Sequence, residues 1–263
     1  MDNDKQQEGF AIDAEIAVLL VDDNKVNQFL GKKILRNLGL LNVEVASDGF
    51  TALEMMKCKN YNVLLTDVEM PGMNGYELTS LVRKSDNNSI TTIALTANAS
   101  ETERDFALKN GMNDYIAKPY SPADLLKVLR KHVLSRNNFI LGDAASEPLV
   151  FLNPILSLYS LFNGNRKDVK NLLLLLHHHL PESMQMLKNA ILDEEWETTY
   201  HTAHKLKSTL KLFNSDSLFS LISNITEYAR EDCKRSVIPE MFDELNTRLE
   251  GLMVLINNEL EAL

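Results

Sequence analysis

Cysteine is nearly absent from this chain of 263 residues, which carries Cys58 and Cys233 far apart in sequence. Two distant thiols cannot build a disulfide framework, so a reducing compartment is the expectation. Long apolar runs are missing as well. Those of the second half, such as Leu172–Leu176, are far too short to cross a bilayer. The opening Met1-Asp2-Asn3-Asp4 lacks the basic-then-apolar order of a secretory leader. These absences imply a cytoplasmic segment, either free or attached to something that is itself in the membrane. Positive charge is in deficit, with 27 Lys and Arg against 37 Asp and Glu and a formal net charge of −10. That sign opposes long-range attraction to nucleic-acid phosphates and anionic lipid, so neither nucleic acid nor direct membrane contact is expected. The second half has no clustered basic recognition helix, and no internal repeat is visible.

What is present is ordinary globular material, 44% hydrophobic and 24% charged, enough for a core in each of two domains. Short runs rich in branched residues occur at Ile16–Val21, Val43–Ala46, Val63–Thr66, Ile93–Thr96 and Tyr115–Ala117, each bounded by Asp, Asn, Gly or Pro. Runs of this kind read as buried parallel strands. Helical spacing lies between them, most clearly in Leu125, Leu126, Val128, Leu129 and Val133, with Ser121 as cap and Pro122 in the first turn. The expected fold of residues 14–135 is an α/β, doubly wound, five-stranded parallel sheet with its ligands at the carboxyl ends of the strands. Residues 136–150, polar and rich in small side chains, are expected to be a linker. Residues 151–263 carry four long apolar stripes with short connections and a short lead-in helix expected near Pro154, the pattern of an all-α four-helix bundle. A bend is expected at Pro181.

Asp22 and Asp23 follow the first expected strand, Asp67 ends the third, Thr96 the fourth, and Lys118 follows the fifth. In a doubly wound sheet these ends share one crevice. Carboxylates crowded together raise each other's pKa unless a hard divalent cation sits among them, and Mg²⁺ suits such oxygen donors best. A carboxylate beside Mg²⁺, a lysine and a hydroxyl is a suitable nucleophile for a phosphoryl group. Val21-Asp22-Asp23-Asn24, Asp67-Val68-Glu69-Met70-Pro71-Gly72-Met73-Asn74-Gly75, Leu95-Thr96-Ala97 and Tyr115-Ile116-Ala117-Lys118-Pro119 resemble the receiver domain of response regulators. The resemblance implies that Asp67 accepts the phosphoryl group and that Asp23 and Asp67 bind Mg²⁺ directly. Asp22 would bind it through water and the Glu69 backbone carbonyl would complete the protein ligands. Thr96 and Lys118 would contact phosphoryl oxygens, Tyr115 would be an aromatic switch following Thr96, and Lys118-Pro119 would be cis. A phosphatase of the dehalogenase type also uses an aspartyl phosphate, with a second acid two residues on. Glu69 occupies that place, but Met70-Pro71 does not suit the segment such an enzyme needs after it.

Six histidines are present. His177, His178 and His179 point about 100° apart on a helix, so they cannot all face one ligand and read as a solvated flank. His204 lies off the apolar stripe Trp196, Tyr200, Ala203, Leu206, Leu210, with His201 one turn before it and Lys207, Ser208 and Lys211 after it. An exposed imidazole flanked by lysines at helical spacing can take a phosphoryl group, because the lysines offset the added charge. A metal reading of His201 and His204 lacks a third ligand. Ala203-His204-Lys205-Leu206-Lys207-Ser208 resembles the histidine phosphotransfer domain, with Ser208 in the place that family usually gives to glycine. The order receiver, linker, phosphotransfer domain resembles the C-terminal part of a hybrid sensor histidine kinase, and Leu95-Thr96-Ala97-Asn98-Ala99 resembles receivers of that class.

The resemblance therefore implies a phosphorelay. An upstream histidine kinase domain supplies Asp67, the group moves to or from His204, and a downstream receiver exchanges it. No glycine-rich ATP-binding motif occurs, so kinase chemistry proper lies in another segment or protein. The competing reading is a signalling adaptor, in which Asp67 phosphorylation switches binding and the bundle only docks or dimerises.

Overall fold

The computed structural model describes residues 16–85, 89–97, 100–133, 154–162 and 164–263. Two compact units divide between residues 141 and 142. The expected linker at 136–150, the domain edges expected at 14, 135 and 151, and Asn98 and Ala99 lie outside the described residues. No helix among the described residues is long and apolar enough to cross a membrane.

The first unit is the expected doubly wound sheet. Its strands are β1 (Val18–Val21), β2 (Val43–Ala46), β3 (Val63–Asp67), β4 (Thr91–Thr96) and β5 (Asp114–Ala117), all parallel, in the order β2-β1-β3-β4-β5. Between and after them run α1 (Lys25–Asn37), α2 (Gly49–Cys58), α3 (Gly75–Lys84), α4 (Glu101–Lys109) and α5 (Pro122–His132). β1 and β3 are buried along their whole length, as strands covered on both faces must be. Their side chains alternate between two cores. Val18, Leu20 and Leu65 pack with Ile34 of α1 and Leu125 and Leu129 of α5. Leu19, Val21 and Leu64 pack on the other face with Met56 of α2 and Leu78 and Val82 of α3. Register sets Val21 beside Thr66 and Asp67 beside Leu95, so the carboxyl ends of the central strands finish at one level.

Capping residues turn the chain at that level. The Asn24 side chain accepts from Val26 N and starts α1 directly after Asp22-Asp23. Asn74 with Glu77, and Ser121 with Asp124, close reciprocal capping boxes on α3 and α5. Pro122 follows Ser121 at the first turn, as expected from the sequence.

The second unit consists of α6 (Leu156–Leu161), α7 (Arg166–Leu192), α8 (Trp196–Leu210), α9 (Asp216–Arg230) and α10 (Ile238–Ala262), with 3₁₀ turns at Lys211–Phe213 and Asp232–Val237. α7 packs on α8 and α10, and α9 packs on the same two, which closes a four-helix bundle. Phe242, Leu245, Leu249, Leu252 and Ile256 of α10 are buried at alternating three- and four-residue spacing, the seam of a bundle helix. Each fully buried leucine contributes roughly 1.5–3 kcal/mol over the exposed state. α7 is assigned as one helix through Pro181. Pro181 and His177, whose carbonyl loses its usual donor, are both exposed, so water can replace the missing bond. The short α6 is tied down by the Ser157 hydroxyl, 2.7 Å from the Leu212 carbonyl oxygen. Asn214 takes the left-handed conformation (φ 48°) that ends the α8 segment, a role its short polar side chain tolerates.

Candidate functional site

Asp22 leaves β1, Asp67 ends β3, Thr96 ends β4 and Lys118 follows β5, so the sheet itself delivers the expected set to one place. The carboxylates of Asp22, Asp23 and Asp67 each offer an oxygen within 4.8 Å of the others. Lys118 Nζ lies 2.6 Å from Asp22 Oδ2 and 2.6 Å from Asp67 Oδ2. Asp22, Asp67 and Lys118 are 1%, 5% and 6% exposed, so these charges meet almost out of reach of solvent. Asp23 is half-buried. The second oxygen of Asp22 accepts from Asn24 N (2.9 Å) and Asn27 Nδ2 (3.2 Å), which fixes the carboxylate plane. Asp67 Oδ1 accepts from Glu69 N at 3.3 Å. The Lys118–Pro119 peptide bond is cis.

Burial pushes the carboxyls of Asp22 and Asp67 above the usual carboxylate range, although Lys118 opposes the shift. Burial alone would lower the Lys118 ammonium, but the two carboxylates outweigh it and hold the lysine charged. Three carboxylates against one ammonium leave a formal charge of −2 in a low-dielectric crevice. Hard oxygen donors with that deficit fit a small divalent cation, and the residues present match what Mg²⁺ requires.

Gly75 explains how Asp67 is held at the strand end. A Cβ at this position would sit 2.3 Å from the Asp67 carbonyl oxygen, so the start of α3 can approach β3 only as glycine. Thr96 reaches the same crevice, but its hydroxyl donates to Glu103 Oε2 on α4 at 2.7 Å. Sequence reasoning missed Glu103. Its available signal, Ser100-x-x-Glu103, reads as a capping box, and Ser100 does cap the Glu103 N–H. Tyr115 is half-buried against Val68, Ala94, Ala107 and Met112, in the company of Tyr76. Tyr76 in turn meets the Phe106 ring edge-on at 4.8 Å.

His204 and Lys207 belong to the second unit. His204, expected to be exposed, is half-buried on α8 because the Tyr200 ring lies beside it, while Thr199, Tyr200, Ala203, Leu206 and Leu210 form that helix's buried side. The Tyr200 ring lies 6.0 Å from the imidazole, centroid to centroid, and the Arg230 guanidinium stacks 3.8 Å over the same tyrosine. Arg230 comes from α9, so no spacing on α8 could have revealed it. Lys207 and Lys211 both lie over the Phe219 ring, at 5.5 and 5.6 Å. Burial, and then repulsion from Lys207, lower the Lys211 ammonium. The Ser208 hydroxyl folds back onto its own helix, 3.0 Å from the Lys205 carbonyl oxygen. On α7, His178 Nδ1 and His179 Nδ1 converge on Glu182 Oε2 at 3.3 and 3.5 Å. Two of the three adjacent histidines thus share one carboxylate despite their angular separation, and His177 and His178 are exposed as expected for a flank.

The model of the response regulator receiver domain matches residues 18–130. The sensor protein EvgS of Escherichia coli O157:H7 is 26% identical over 254 residues, covering 95% of this chain and 20% of that protein. EvgS of E. coli K12 is 37% identical over 129 residues, covering 49% of this chain and 10% of that protein. The chemotaxis protein CheY-3 of Vibrio cholerae is 34% identical over 121 residues, which is 46% of this chain and 93% of that protein. The chain therefore spans at most about a fifth of the sensor proteins it resembles and almost the whole of a single-domain relative.

Proposed function

This chain belongs to the response regulator receiver family, and from that premise we propose that it carries out a phosphorelay step between Asp67 and His204. The observation that carries the reading is the buried Asp67 carboxylate, 2.6 Å from Lys118, inside a carboxylate trio whose oxygens lie within 4.8 Å. In the first step an Asp67 oxygen attacks the phosphorus of a phosphohistidine on an upstream histidine kinase domain. The P–N bond breaks, a P–O bond forms, and the leaving imidazole takes a proton. In the second step a ring nitrogen of His204 attacks the acyl phosphate. The bond to Asp67 breaks, its carboxylate is restored, and the imidazole gives up its ring proton. A downstream receiver then takes the group by the reverse chemistry.

Each residue has a stated task in this reading. Lys118, already held charged between two carboxylates, neutralises phosphoryl oxygens, and Thr96 donates a hydrogen bond to one of them. Asp22, Asp23, Asp67 and the Glu69 backbone carbonyl would hold Mg²⁺, which when bound supplies further charge neutralisation at those oxygens. Lys207 offsets the charge added to His204, and Tyr115 follows the position of Thr96. Residues 14–135 serve as the receiver, 136–150 as the linker and 151–263 as the histidine phosphotransfer bundle.

The test is the location of the phosphoryl group with time. The chain is incubated with Mg²⁺ and acetyl phosphate, and the product is divided between acid and base, since aspartyl phosphate is lost in base and phosphohistidine in acid. Base-stable label that disappears in both Asp67→Asn and His204→Gln is the expected result. Label confined to Asp67, even with an upstream kinase and a downstream receiver present, would overturn transfer and leave the bundle as a docking module.

A further inference from the structure

Thr96 ends β4 at the phosphoacceptor crevice, yet its hydroxyl donates to Glu103 Oε2 at 2.7 Å. A hydroxyl has one proton and can donate one full hydrogen bond at a time. The acceptor here is a carboxylate, so the bond is of the stronger, charge-assisted kind. Glu103 is half-buried in the first turn of α4 and lines a depression shared with Glu69, Tyr76 and Phe106.

The local pattern shows that this use of Glu103 is specific. On α3 and α5 the acidic residue three positions after the cap, Glu77 or Asp124, reaches back to the N-cap backbone N–H. On α4, Ser100 accepts from Glu103 N at 3.2 Å, but the Glu103 carboxylate takes the Thr96 hydroxyl. The helix start is thereby linked to the strand end that carries the phosphoryl-binding hydroxyl.

We propose that Glu103 is a positioning residue that holds the Thr96 proton in the unphosphorylated protein and so sets how tightly the crevice takes a phosphoryl group. The inference rests on the reading of Asp67 as phosphoacceptor and Thr96 as its hydrogen-bond donor. For Thr96 to donate to a phosphoryl oxygen, the bond to Glu103 must break. The phosphoryl group and Glu103 therefore compete for one proton, and phosphorylation releases the first turn of α4 from β4.

The experiment measures beryllofluoride affinity of the full chain by titration calorimetry, with Mg²⁺ in every arm. Beryllofluoride binds an aspartate carboxylate in the shape of a phosphoryl group and stays on Asp67. Glu103→Ala should bind about tenfold tighter than wild type, the equivalent of losing one hydrogen bond to a charged group. Glu103→Gln keeps an uncharged acceptor and should gain roughly threefold, since neutral hydrogen bonds are about half as strong. In a Thr96→Ala background, Glu103→Ala should change nothing. Equal tightening with and without the Thr96 hydroxyl would overturn the latch in favour of a simple charge effect. So would an affinity indifferent to Glu103→Ala. A wild type that takes up no beryllofluoride would instead overturn the phosphoacceptor reading itself, and the latch with it. A separate readout needs neither Mg²⁺ nor beryllofluoride: the Thr96 methyl resonance should move in the free Glu103→Ala protein, and an unmoved resonance would also overturn the latch.

Discussion

Replacing Gly75 by alanine should damage both the stability of the receiver unit and the chemistry of Asp67, because the contact involves backbone that has no rotamer to change. The new Cβ would lie 2.3 Å from the Asp67 carbonyl oxygen and 3.1 Å from both the Asp67 carbonyl carbon and the Val68 Cα. Relief requires β3 and the start of α3 to part by about an ångström, an overpacking cost of roughly 1–3 kcal/mol. The same movement stretches the Gly75 N–H bond to the Val68 carbonyl, 3.0 Å in the structure, which adds about 1 kcal/mol. The expected destabilisation is therefore about 2–4 kcal/mol. An ångström of displacement at the nucleophile should slow phosphoryl acceptance by on the order of 100-fold. Hydrogen exchange across residues 63–67 reads the receiver directly. Trp196, the single tryptophan of the chain, reports on the bundle and should melt where it does in wild type. Loss of less than about 0.5 kcal/mol, the range of an ordinary surface change, would show that the backbone yields and would refute the reasoning.

Gly251 provides the opposite case: it is exposed in the middle of α10 with nothing within 4 Å of an added Cβ. Gly251→Ala should stabilise the bundle by up to about 1 kcal/mol in urea denaturation followed by Trp196, and a loss would show that the helix needs the glycine. Lys118→Met leaves Asp22 and Asp67 buried without their shared cation, and should cost about 3–5 kcal/mol in chelator, with part recovered on adding Mg²⁺. A variant as stable as wild type in chelator would contradict that. Burial alone would raise the Asp114 carboxyl, but bonds from Lys131, His132 and the Tyr115 N–H hold it below the usual range. A depressed folded pKa contributes stability above the unfolded value, about 3.9, and loses it as pH falls through the folded one. Asp114→Asn should therefore be less stable than wild type by about 1–2 kcal/mol at pH 7, with the gap closing below about pH 4; a gap that persists there would sink the assignment. Glu69→Ala removes an exposed carboxylate beside Asp67 and should lengthen the life of phospho-Asp67 by at least about twofold, whereas an unchanged hydrolysis rate would exclude a role in guiding water.

The parts of the fold that were legible in sequence share a physical cause. Strands buried on both faces are mostly apolar, so β1 and β3 announced themselves, and parallel winding then brought Asp22, Asp67, Thr96 and Lys118 to one edge. The apolar run of β4 starts two residues after the strand does, because Thr91 and Thr92 do not look like core. Thr92 is nevertheless fully buried, and its hydroxyl accepts from Arg83 Nη2 at 3.2 Å. The bundle was legible because each helix repeats its apolar face for several turns. Side chains whose partner comes from another element were not legible. Glu103 carried a local cap signal that masked its bond to Thr96, and Arg230 reaches Tyr200 from a helix with no motif of its own. The convergence of His178 and His179 on Glu182 depends on rotamers, which helical angles alone do not determine.

This division also decides where function can be separated from fold. Asp22, Asp67, Lys118 and Gly75 lie in packed surroundings, so a variant at any of them changes stability and chemistry together. A lost activity there is uninformative until folding has been measured on the same sample. His204 is different, because it is half-buried and lies off the buried side of its helix, and Glu103, half-buried as well, meets the scaffold through its bond to Thr96. The leucines of α7 and the buried face of α9 hold α8 in place whatever side chain stands at 204. His204→Gln should therefore stay within about 0.5 kcal/mol of wild type, as expected for a site away from a core, whereas Glu103→Ala should cost the receiver unit about the 1–1.5 kcal/mol of its bond to Thr96 and still leave it folded. Any change they cause in where the phosphoryl group rests, or how tightly its mimic binds, then reports on chemistry alone. If His204→Gln destabilises the bundle by more than about 0.5 kcal/mol, or Glu103→Ala costs the receiver more than about 3 kcal/mol, the upper value of one hydrogen bond to a charged group, the residue is part of the scaffold and the separation fails.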